Sequence, residues 1–280
     1  MGNLQEEMRC SEPYWQFNRE ERNYTALLYH ALLSGQNLWR FLYALQAQGF
    51  TPSHWGPAEP ERISMYVEYA LPRDLWARQA KLGAEAIVNA QRRQAVLDLL
   101  GPANRDQLEA ASTAEWNTYF GANPASDKWI QFPGRWQIKK FNATIADDNE
   151  FLKTCKFKWA FNIKPDLVIH LDAERAIVIE AKYDSGESSY PPPGPTRDLI
   201  TRRGGRPIGQ TDLQEYLFRD ILGIDAVHVH ISRDAHTTMT GRHGHAMTWK
   251  QAFGPISDQA KMMPFVQDSI NAIRGVDTSE

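Results

Sequence analysis

The sequence predicts an α/β fold with a large helical insertion, and three observations lead to this fold class. An apolar stripe at helical spacing runs through the N-terminal segment from Phe17 to Gly49. Two short runs, Leu167–Leu171 and Ala176–Tyr183, are apolar on both faces, which is typical of strands inside a covered sheet. A helix pattern in TDLQEYLFRDILG and a strand pattern in AVHVHISRD follow them. The predicted order is therefore helix, helical insertion, strands, helix and strand.

The patterns divide the 280 residues into three parts. Residues 1–49 supply N-terminal helices of the core, and Gly35 separates two of them. Residues 50–150 form a mainly helical insertion, in which Gly101 ends the longest helix. Residues 151–280 carry the sheet and the C-terminal helices of the core.

Two segments have weaker patterns. The stretch from Trp129 to Phe161 is rich in Trp, Phe and Lys, and we expect weak strand structure there. The stretch from Ser185 to Pro207 is rich in Pro and Gly and predicts a long loop.

The composition bounds the class of protein. With 42% hydrophobic and 23% charged residues, the chain is typical of globular proteins that bury a sizeable core. The net charge of −3 gives no global basic field, although a local basic patch remains compatible with it. Cys10 and Cys155 form neither a disulfide framework nor a zinc motif. The N-terminus lacks the apolar run of a signal peptide, and no stretch approaches the roughly 18 apolar residues of a membrane span. We therefore expect a cytoplasmic protein without membrane contact.

Three polar residues interrupt the apolar hairpin. Glu180 and Lys182 are two residues apart, so they point to the same face of their strand. Asp166 begins the partner strand, 14 residues before Glu180, which is a natural separation for a hairpin. A buried Glu–Lys pair alone can be structural. The third residue, a second carboxylate, favours a hard oxygen site for Mg²⁺ or Mn²⁺, in which the lysine orients or helps to deprotonate a water.

The register of the hairpin decides whether Asp166 can join this site. Directly opposed residues of an antiparallel pair share a face, so their numbers must have an even sum for Asp166 to face Glu180. A plain two-residue turn at Ala173–Glu174 gives an odd sum and puts Asp166 on the wrong face. We therefore expect a three- or five-residue loop within Leu171–Ala176, a bulge, or a position for Asp166 just outside the regular ladder.

The dipeptide Pro165–Asp166 followed by Glu180–Ala181–Lys182 resembles the motif of the PD-(D/E)xK nuclease superfamily. That superfamily has a restriction-endonuclease-like core of helix, three strands, helix and strand, which is the order predicted above. The resemblance implies that Asp166 and Glu180 hold a metal ion and that Lys182 assists the attacking water.

Members of the superfamily often add a carboxylate from the first helix. Here the apolar stripe of that helix centres near Glu21, with Glu20 further from its centre. An acid inside an apolar stripe suits a metal ligand, so we expect Glu21 to join the metal site. The alternative is an N-terminal acid that stabilises the helix dipole.

Some branches of the superfamily carry a Gln-x-x-x-Tyr signature on the helix after the lysine. Tyr216 is present here, but Asp212 stands four residues before it, so the signature fails as written. Gln214 is explained by a capping box with Thr211. Gln210, just outside the predicted helix, and Tyr216 remain candidates for contact with the substrate.

Basic residues and histidines supply further candidates. Arg202 and Arg203 lie in the predicted loop, where cations near an acidic centre suit a phosphodiester substrate. The alternative is a solvated loop. His228 and His230 have a spacing that can bind zinc, but no companion ligand is apparent. We expect these two histidines, and three that follow them in the sequence, to line a surface or the substrate groove. The three are His236, His243 and His245.

The resemblance predicts a Mg²⁺- or Mn²⁺-dependent nuclease whose partner is nucleic acid, with DNA favoured over RNA. It is compatible with a role in restriction or phage defence and with a homodimer. The alternative is a catalytically silent module that binds nucleic acid or a protein partner. The presence of all three motif residues, Asp166, Glu180 and Lys182, favours the enzyme.

Overall fold

The computed structural model describes residues 20–122, 128–183, 186–233 and 244–274. They form a mixed α/β fold around a five-stranded mixed sheet with strand order β1-β2-β3-β6-β7, and a separate two-stranded sheet pairs β4 with β5. The strands are β1 Ser64–Val67, β2 Leu167–His170, β3 Arg175–Ala181, β4 Ser189–Tyr190, β5 Ile208–Gly209, β6 Asp225–Ser232 and β7 Gly244–Thr248.

Helices surround the sheet on both faces. They are α1 Glu21–Leu32, α2 Asn37–Ala47, α3 Leu71–Gln79, α4 Glu85–Leu100, α5 Arg105–Ala110, α6 Thr113–Tyr119, α7 Ile138–Phe141, α8 Asp148–Ala160, α9 Pro195–Arg202, α10 Gln210–Glu215, α11 Trp249–Phe253 and α12 Pro264–Arg274. Short 3₁₀ turns lie at Pro60–Arg62 and Pro133–Arg135, and α10 continues as a π-helical segment, Tyr216–Ile221. None of these helices combines the length and hydropathy that crossing a bilayer requires.

The hairpin of β2 and β3 has the register that the sequence predicts. Leu167 is paired with Ile179, which is an even sum, and the remaining pairs keep this register. The amide of Leu171 donates to the carbonyl of Arg175 at 2.9 Å, so the loop has three residues. The side chain of Asp172 stabilises this loop, because its Oδ1 accepts hydrogen bonds from the amides of Glu174 and Arg175. Asp166 lies directly before β2, and the even register places it on the face of Glu180.

The two faces of the sheet bury separate cores. Odd-numbered residues of the hairpin, such as Ile177 and Ile179, pack with the layer that contains α1, α2, α11 and α12. Even-numbered residues, such as Val168 and Val178, pack with α8, α10 and the insertion. This alternation follows from the two-residue period of a strand. Glu180 and Lys182 continue the even series at the carboxyl end of β3.

Several predicted elements need correction. The stretch from Trp129 to Phe161 holds α7 and α8 rather than strands; α8 buries Phe151, Thr154 and Cys155 at helical spacing, which its lysines obscure in the sequence. The predicted loop after Ser185 contains β4 and α9. The mainly helical residues 50–150 also contribute β1, which pairs with β2 at the edge of the sheet.

Candidate active site

Most of the predicted site residues meet at the carboxyl end of β3. A cavity of about 460 Å³ opens there, and five carboxylates, three cations and one amide side chain line it. These residues are Glu20, Glu21, Arg22, Glu68, Lys164, Asp166, Glu180, Lys182 and Gln210. Five of the eight residues that the sequence predicts for the site therefore share one cavity, and Tyr216, Arg202 and Arg203 do not line it.

Glu180 is the centre of a buried hydrogen-bond network, with only 3% of its surface exposed. Its Oε1 accepts hydrogen bonds from Lys182 Nζ and from Gln210 Nε2, each at 2.6 Å. Its Oε2 accepts one from Gln214 Nε2 at 2.7 Å. A buried carboxylate is tolerated when it is paired and hydrogen-bonded, and these three donors meet that requirement. The network fixes the orientation of the carboxylate in the cavity.

Burial changes the acidity of the two central carboxylates. Burial, together with the neighbouring charge of Glu180, raises the pKa of Asp166 to about 7. Burial also raises the pKa of Glu180, although Lys182 opposes that shift. For Lys182, burial disfavours the charged form, but the pairing with Glu180 outweighs it and the pKa is raised. A proton or a cation bound near Asp166 would therefore stabilise the site, because it offsets the negative charge of the two carboxylates.

The donor set can be compared with the needs of a metal ion. Within the described ranges, no three His, Cys, Asp or Glu side chains form a ready cluster of ligands, which argues against a structural zinc site there. Mg²⁺, however, is commonly held by one or two carboxylates, with waters and substrate phosphates as the other ligands. Asp166 and Glu180 are hard oxygen donors whose raised pKa values a divalent cation would offset. The residues present therefore fit Mg²⁺ or Mn²⁺.

Glu21 reaches the cavity from the first turn of α1. Its Oε1 accepts a hydrogen bond from the amide of Tyr183 at 3.0 Å, immediately after Lys182. Its charge also favours the protonated form of Lys182 and so helps to raise the pKa of that ammonium. Glu20 lines the same cavity from the residue before the helix. The position of Glu21 suits the predicted ligand role, which stays a prediction.

Gln214 is the residue that the capping-box interpretation missed. Helix α10 begins at Gln210 after Gly209, so Thr211 is not its N-cap, and no side chain caps it. Instead, Gln210 and Gln214 both donate to Glu180. Their i, i+4 spacing is the signal that could have found this pair, since it places both amides on one helix face. Gln210, predicted to contact substrate, serves in this structure to orient Glu180.

The predicted substrate contacts of Tyr216 and the two arginines are not supported by their positions. Tyr216 is half-buried beneath Lys156, whose Nζ lies 4.2 Å from the ring centre, and burial raises its pKa to about 12. Arg203 donates through Nη2 to three successive carbonyls, of Ile145, Ala146 and Asp147. Arg202 is exposed in the last turn of α9. Arg203 is thus a structural anchor, because its guanidinium holds the turn that precedes α8.

Replacing Arg203 with methionine is expected to lower the free energy of unfolding by about 1.5 to 3 kcal/mol, because charged hydrogen bonds to that turn are lost. Urea denaturation measures the change. Arg202→Met is the matched control in the same helix turn, and its effect should stay within about 0.5 kcal/mol. Equal stability of the two variants would contradict the anchoring role.

The expectation that the histidines of β6 line a surface is wrong, because both are buried, and neither lines the cavity at Glu180. His228 and His230 are each 1% exposed. His230 Nε2 lies 2.8 Å from Thr211 Oγ1, and burial lowers the pKa of His230 to about 4, so the ring is neutral at physiological pH. His245 stacks on Phe50 with ring centres 4.5 Å apart. The predicted candidates His236 and His243 lie outside the described residues.

Two cations at the mouth of the cavity are not among the residues that the sequence predicts for the site. Lys164 and Arg22 line the cavity, and both contact the carboxylate of Glu68. Glu68 follows β1 and donates its amide to the carbonyl of Asp166 at 2.9 Å, which extends the ladder to the site. Its φ of +51° is unusual for a residue other than glycine and costs about 1 kcal/mol. No signal in the sequence places this segment beside Asp166, because β1 lies within the mainly helical insertion.

The comparisons with known proteins add no assignment. Matching the chain against protein-family models, curated proteins and solved structures gave no match. The functional interpretation therefore depends on the geometry of the cavity and on the motif that the sequence carries.

Proposed function

We propose that the chain is a Mg²⁺- or Mn²⁺-dependent nuclease that hydrolyses phosphodiester bonds, with DNA preferred over RNA. The observation that carries the proposal is the meeting of Asp166, Glu180 and Lys182 in one cavity. The hairpin register brings Asp166 to the face of Glu180. Glu180 is buried and Asp166 is half-buried, and burial raises the pKa of both carboxylates. Perturbed pKa values of this kind are typical of functional sites.

The connectivity of the sheet supports the same proposal. Helix α1 is followed by the antiparallel series β1, β2 and β3, then by α10 and by β6, which is parallel to β3. This is the order that the PD-(D/E)xK resemblance implies for a restriction-endonuclease-like core. β7 and most of residues 50–150 would be additions to that core.

Each residue of the network has a role in this reaction. Bound Mg²⁺ or Mn²⁺ would supply Lewis-acid chemistry that activates water and stabilises charge on the leaving oxygen. Asp166 and Glu180 would hold the ion, with Glu21 as a further candidate ligand. Gln210 and Gln214 fix the Glu180 carboxylate. Lys182 uses one ammonium proton for Glu180, and its remaining protons can orient the attacking water.

A second candidate function is a catalytically silent module that binds nucleic acid or a protein partner. The observation that favours it is the set of three donors around Glu180 (Lys182, Gln210 and Gln214), which stabilises the carboxylate without a metal ion. The two candidates differ in their dependence on metal, since only the nuclease needs Mg²⁺ or Mn²⁺ for an effect on nucleic acid.

A cleavage assay on supercoiled plasmid, end-labelled single-stranded DNA and end-labelled RNA tests the proposal. We expect cleavage with Mg²⁺ or Mn²⁺ and none above background with EDTA, with DNA cut faster than RNA. Asp166→Asn, purified in the same way, controls for a contaminating nuclease, because it removes one of the two central carboxylates. If no substrate is cut with either metal while nucleic acid still binds, the silent module is the correct interpretation.

A further inference from the structure

A cluster of three charged residues stands at the mouth of the cavity. Glu68 contacts Arg22 through Oε1, which lies 3.5 Å from Arg22 Nε, and Lys164 through Oε2. The side chains of Glu68 and Lys164 are 40% and 38% exposed, and that of Arg22 is 77% exposed. One carboxylate therefore contacts two cations that solvent can reach and offsets one of their two positive charges. We call these three residues the mouth cluster.

The mouth cluster contains the cations that an anionic substrate could use. Among the described residues that line the cavity, the cations are Arg22, Lys164 and Lys182, against five carboxylates. Lys182 donates to Glu180 at 2.6 Å and is only 6% exposed, so it lies too deep to receive a phosphate that approaches from solvent. A phosphodiester approaching this acidic cavity therefore needs Arg22 and Lys164 to offset repulsion.

The position of Glu68 is fixed by the backbone and not by its side chain alone. Its amide donates to the carbonyl of Asp166, and the amide of the next residue, Tyr69, donates to the carbonyl of Pro165 at 3.0 Å. The chain adopts a positive φ of +51° at Glu68, where glycine or asparagine would be less strained. A carboxylate is thus held beside the two cations by the strand that borders Asp166.

We propose that Arg22 and Lys164 bind a backbone phosphate of nucleic acid at the mouth of the cavity, and that Glu68 is an internal competitor which the phosphate displaces. The inference rests on the proposed function for the identity of its ligand. It replaces Arg202 and Arg203 as phosphate contacts with two cations that line the cavity itself. Glu68 then weakens the binding of a phosphate to the two cations, because the phosphate must displace it.

The cations are tested by equilibrium binding in EDTA, where no cleavage interferes. Fluorescence anisotropy of labelled single-stranded and duplex DNA measures the affinity at several salt concentrations. Lys164→Gln and Arg22→Gln should each weaken binding and reduce the slope of log K against log salt by about 1. Lys81→Gln removes an exposed lysine that does not line the cavity and should change affinity by less than about 2-fold.

The competitor is tested by Glu68→Gln, which removes the charge and keeps the shape. We expect binding to tighten by about 2- to 5-fold, the range that loss of a solvent-exposed ion pair allows. Glu174→Gln makes the same charge change in the loop at the opposite end of β3 and should leave the affinity unchanged. In a Lys164→Gln, Arg22→Gln background, the gain from Glu68→Gln should disappear, because Glu68 acts through these cations.

The outcomes separate this inference from the proposed function. Binding that depends on Lys164 without any cleavage by the wild type would keep the mouth cluster and remove the nuclease. Cleavage by the wild type, with binding by Lys164→Gln, Arg22→Gln and Glu68→Gln equal to the wild type, would overturn the mouth cluster alone. A gain from Glu68→Gln that persists without the two cations would assign the effect to general charge repulsion and overturn the competitor role.

Discussion

Replacing Lys182 with methionine is expected to reduce cleavage by on the order of 10²- to 10⁴-fold, which is the usual contribution of a positioned proton-transfer or charge-stabilising group. Methionine keeps the unbranched shape of the side chain and most of its length but donates no hydrogen bond. Glu180 then loses the Lys182 hydrogen bond and keeps two amide donors. Single-turnover cleavage of labelled DNA with saturating Mg²⁺ measures the loss.

The fold should survive this substitution. A buried carboxylate without its cation takes up a proton more readily, and this limits the destabilisation. Circular dichroism and unchanged DNA binding in EDTA would establish that the loss is chemical. Lys156→Met makes the same change at the ring of Tyr216, away from the cavity, and should cut like the wild type. Cleavage by Lys182→Met within a few-fold of the wild-type rate would remove the lysine from the mechanism.

Replacing Asp166 with asparagine is expected to abolish cleavage and, without metal, to stabilise the protein at neutral pH. The pKa of Asp166 is raised from 3.8 to about 7 in the folded state, so folding at neutral pH must retain a proton or bury a charge. Asparagine has neither cost, and its side-chain oxygen can still accept from the amide of Ala181, which lies 2.8 Å from Asp166 Oδ2. The same carboxylate therefore serves the reaction and opposes folding.

The raised pKa of Asp166 determines how the stability of the wild type changes with pH. Below about pH 4 the carboxyl is protonated in both states, so its contribution to wild-type stability is fully present. As the pH rises towards 7, the unfolded chain releases the proton and the folded protein retains it, so wild-type stability falls by up to about 1.4 kcal/mol for each pH unit. Asp166→Asn lacks this loss, and its advantage should grow between these limits and level off above pH 7.

Chemical denaturation at several pH values in EDTA measures this difference. Glu174→Gln, an exposed carboxylate at the far end of the hairpin, is the control and should follow the wild type. Adding Mg²⁺ should stabilise the wild type and not Asp166→Asn, because a ligand that binds the folded state stabilises it. Equal stability of the wild type and Asp166→Asn at pH 8 in EDTA would contradict the raised pKa of Asp166.

The central part of the fold could be predicted because its signals are local. The hairpin combines two apolar runs with a motif. Parity alone excluded a plain two-residue turn, and the observed three-residue loop is one of the options that parity left. Glu180 and Lys182 share a face by the period of a strand, and Gly35 separates α1 from α2 as expected. In each case one short segment holds the information.

The rest depends on partners far away in the chain. The sequence around Gln214 predicts a helix cap. Its hydrogen bond to Glu180 depends on the position of α10 beside β3, which no local pattern shows. The sequence around Arg203 predicts an exposed cation in a loop, but the turn to which it donates lies more than 50 residues earlier in the chain. Glu68 follows a four-residue strand without a strong strand pattern, whose place in the sheet is set by pairing with β2.

The pairing of β1 with β2 has a consequence for the order of folding. Val67 and Leu167 are 100 residues apart in the chain, whereas β2 and β3 are joined by a three-residue loop. Closing the longer loop costs more chain entropy, so we expect the β2–β3 hairpin to form before β1 joins its edge. The hairpin would therefore bring Asp166 and Glu180 together first, and Glu68, with the wall that closes the cavity, would join them only when the intervening segment has packed.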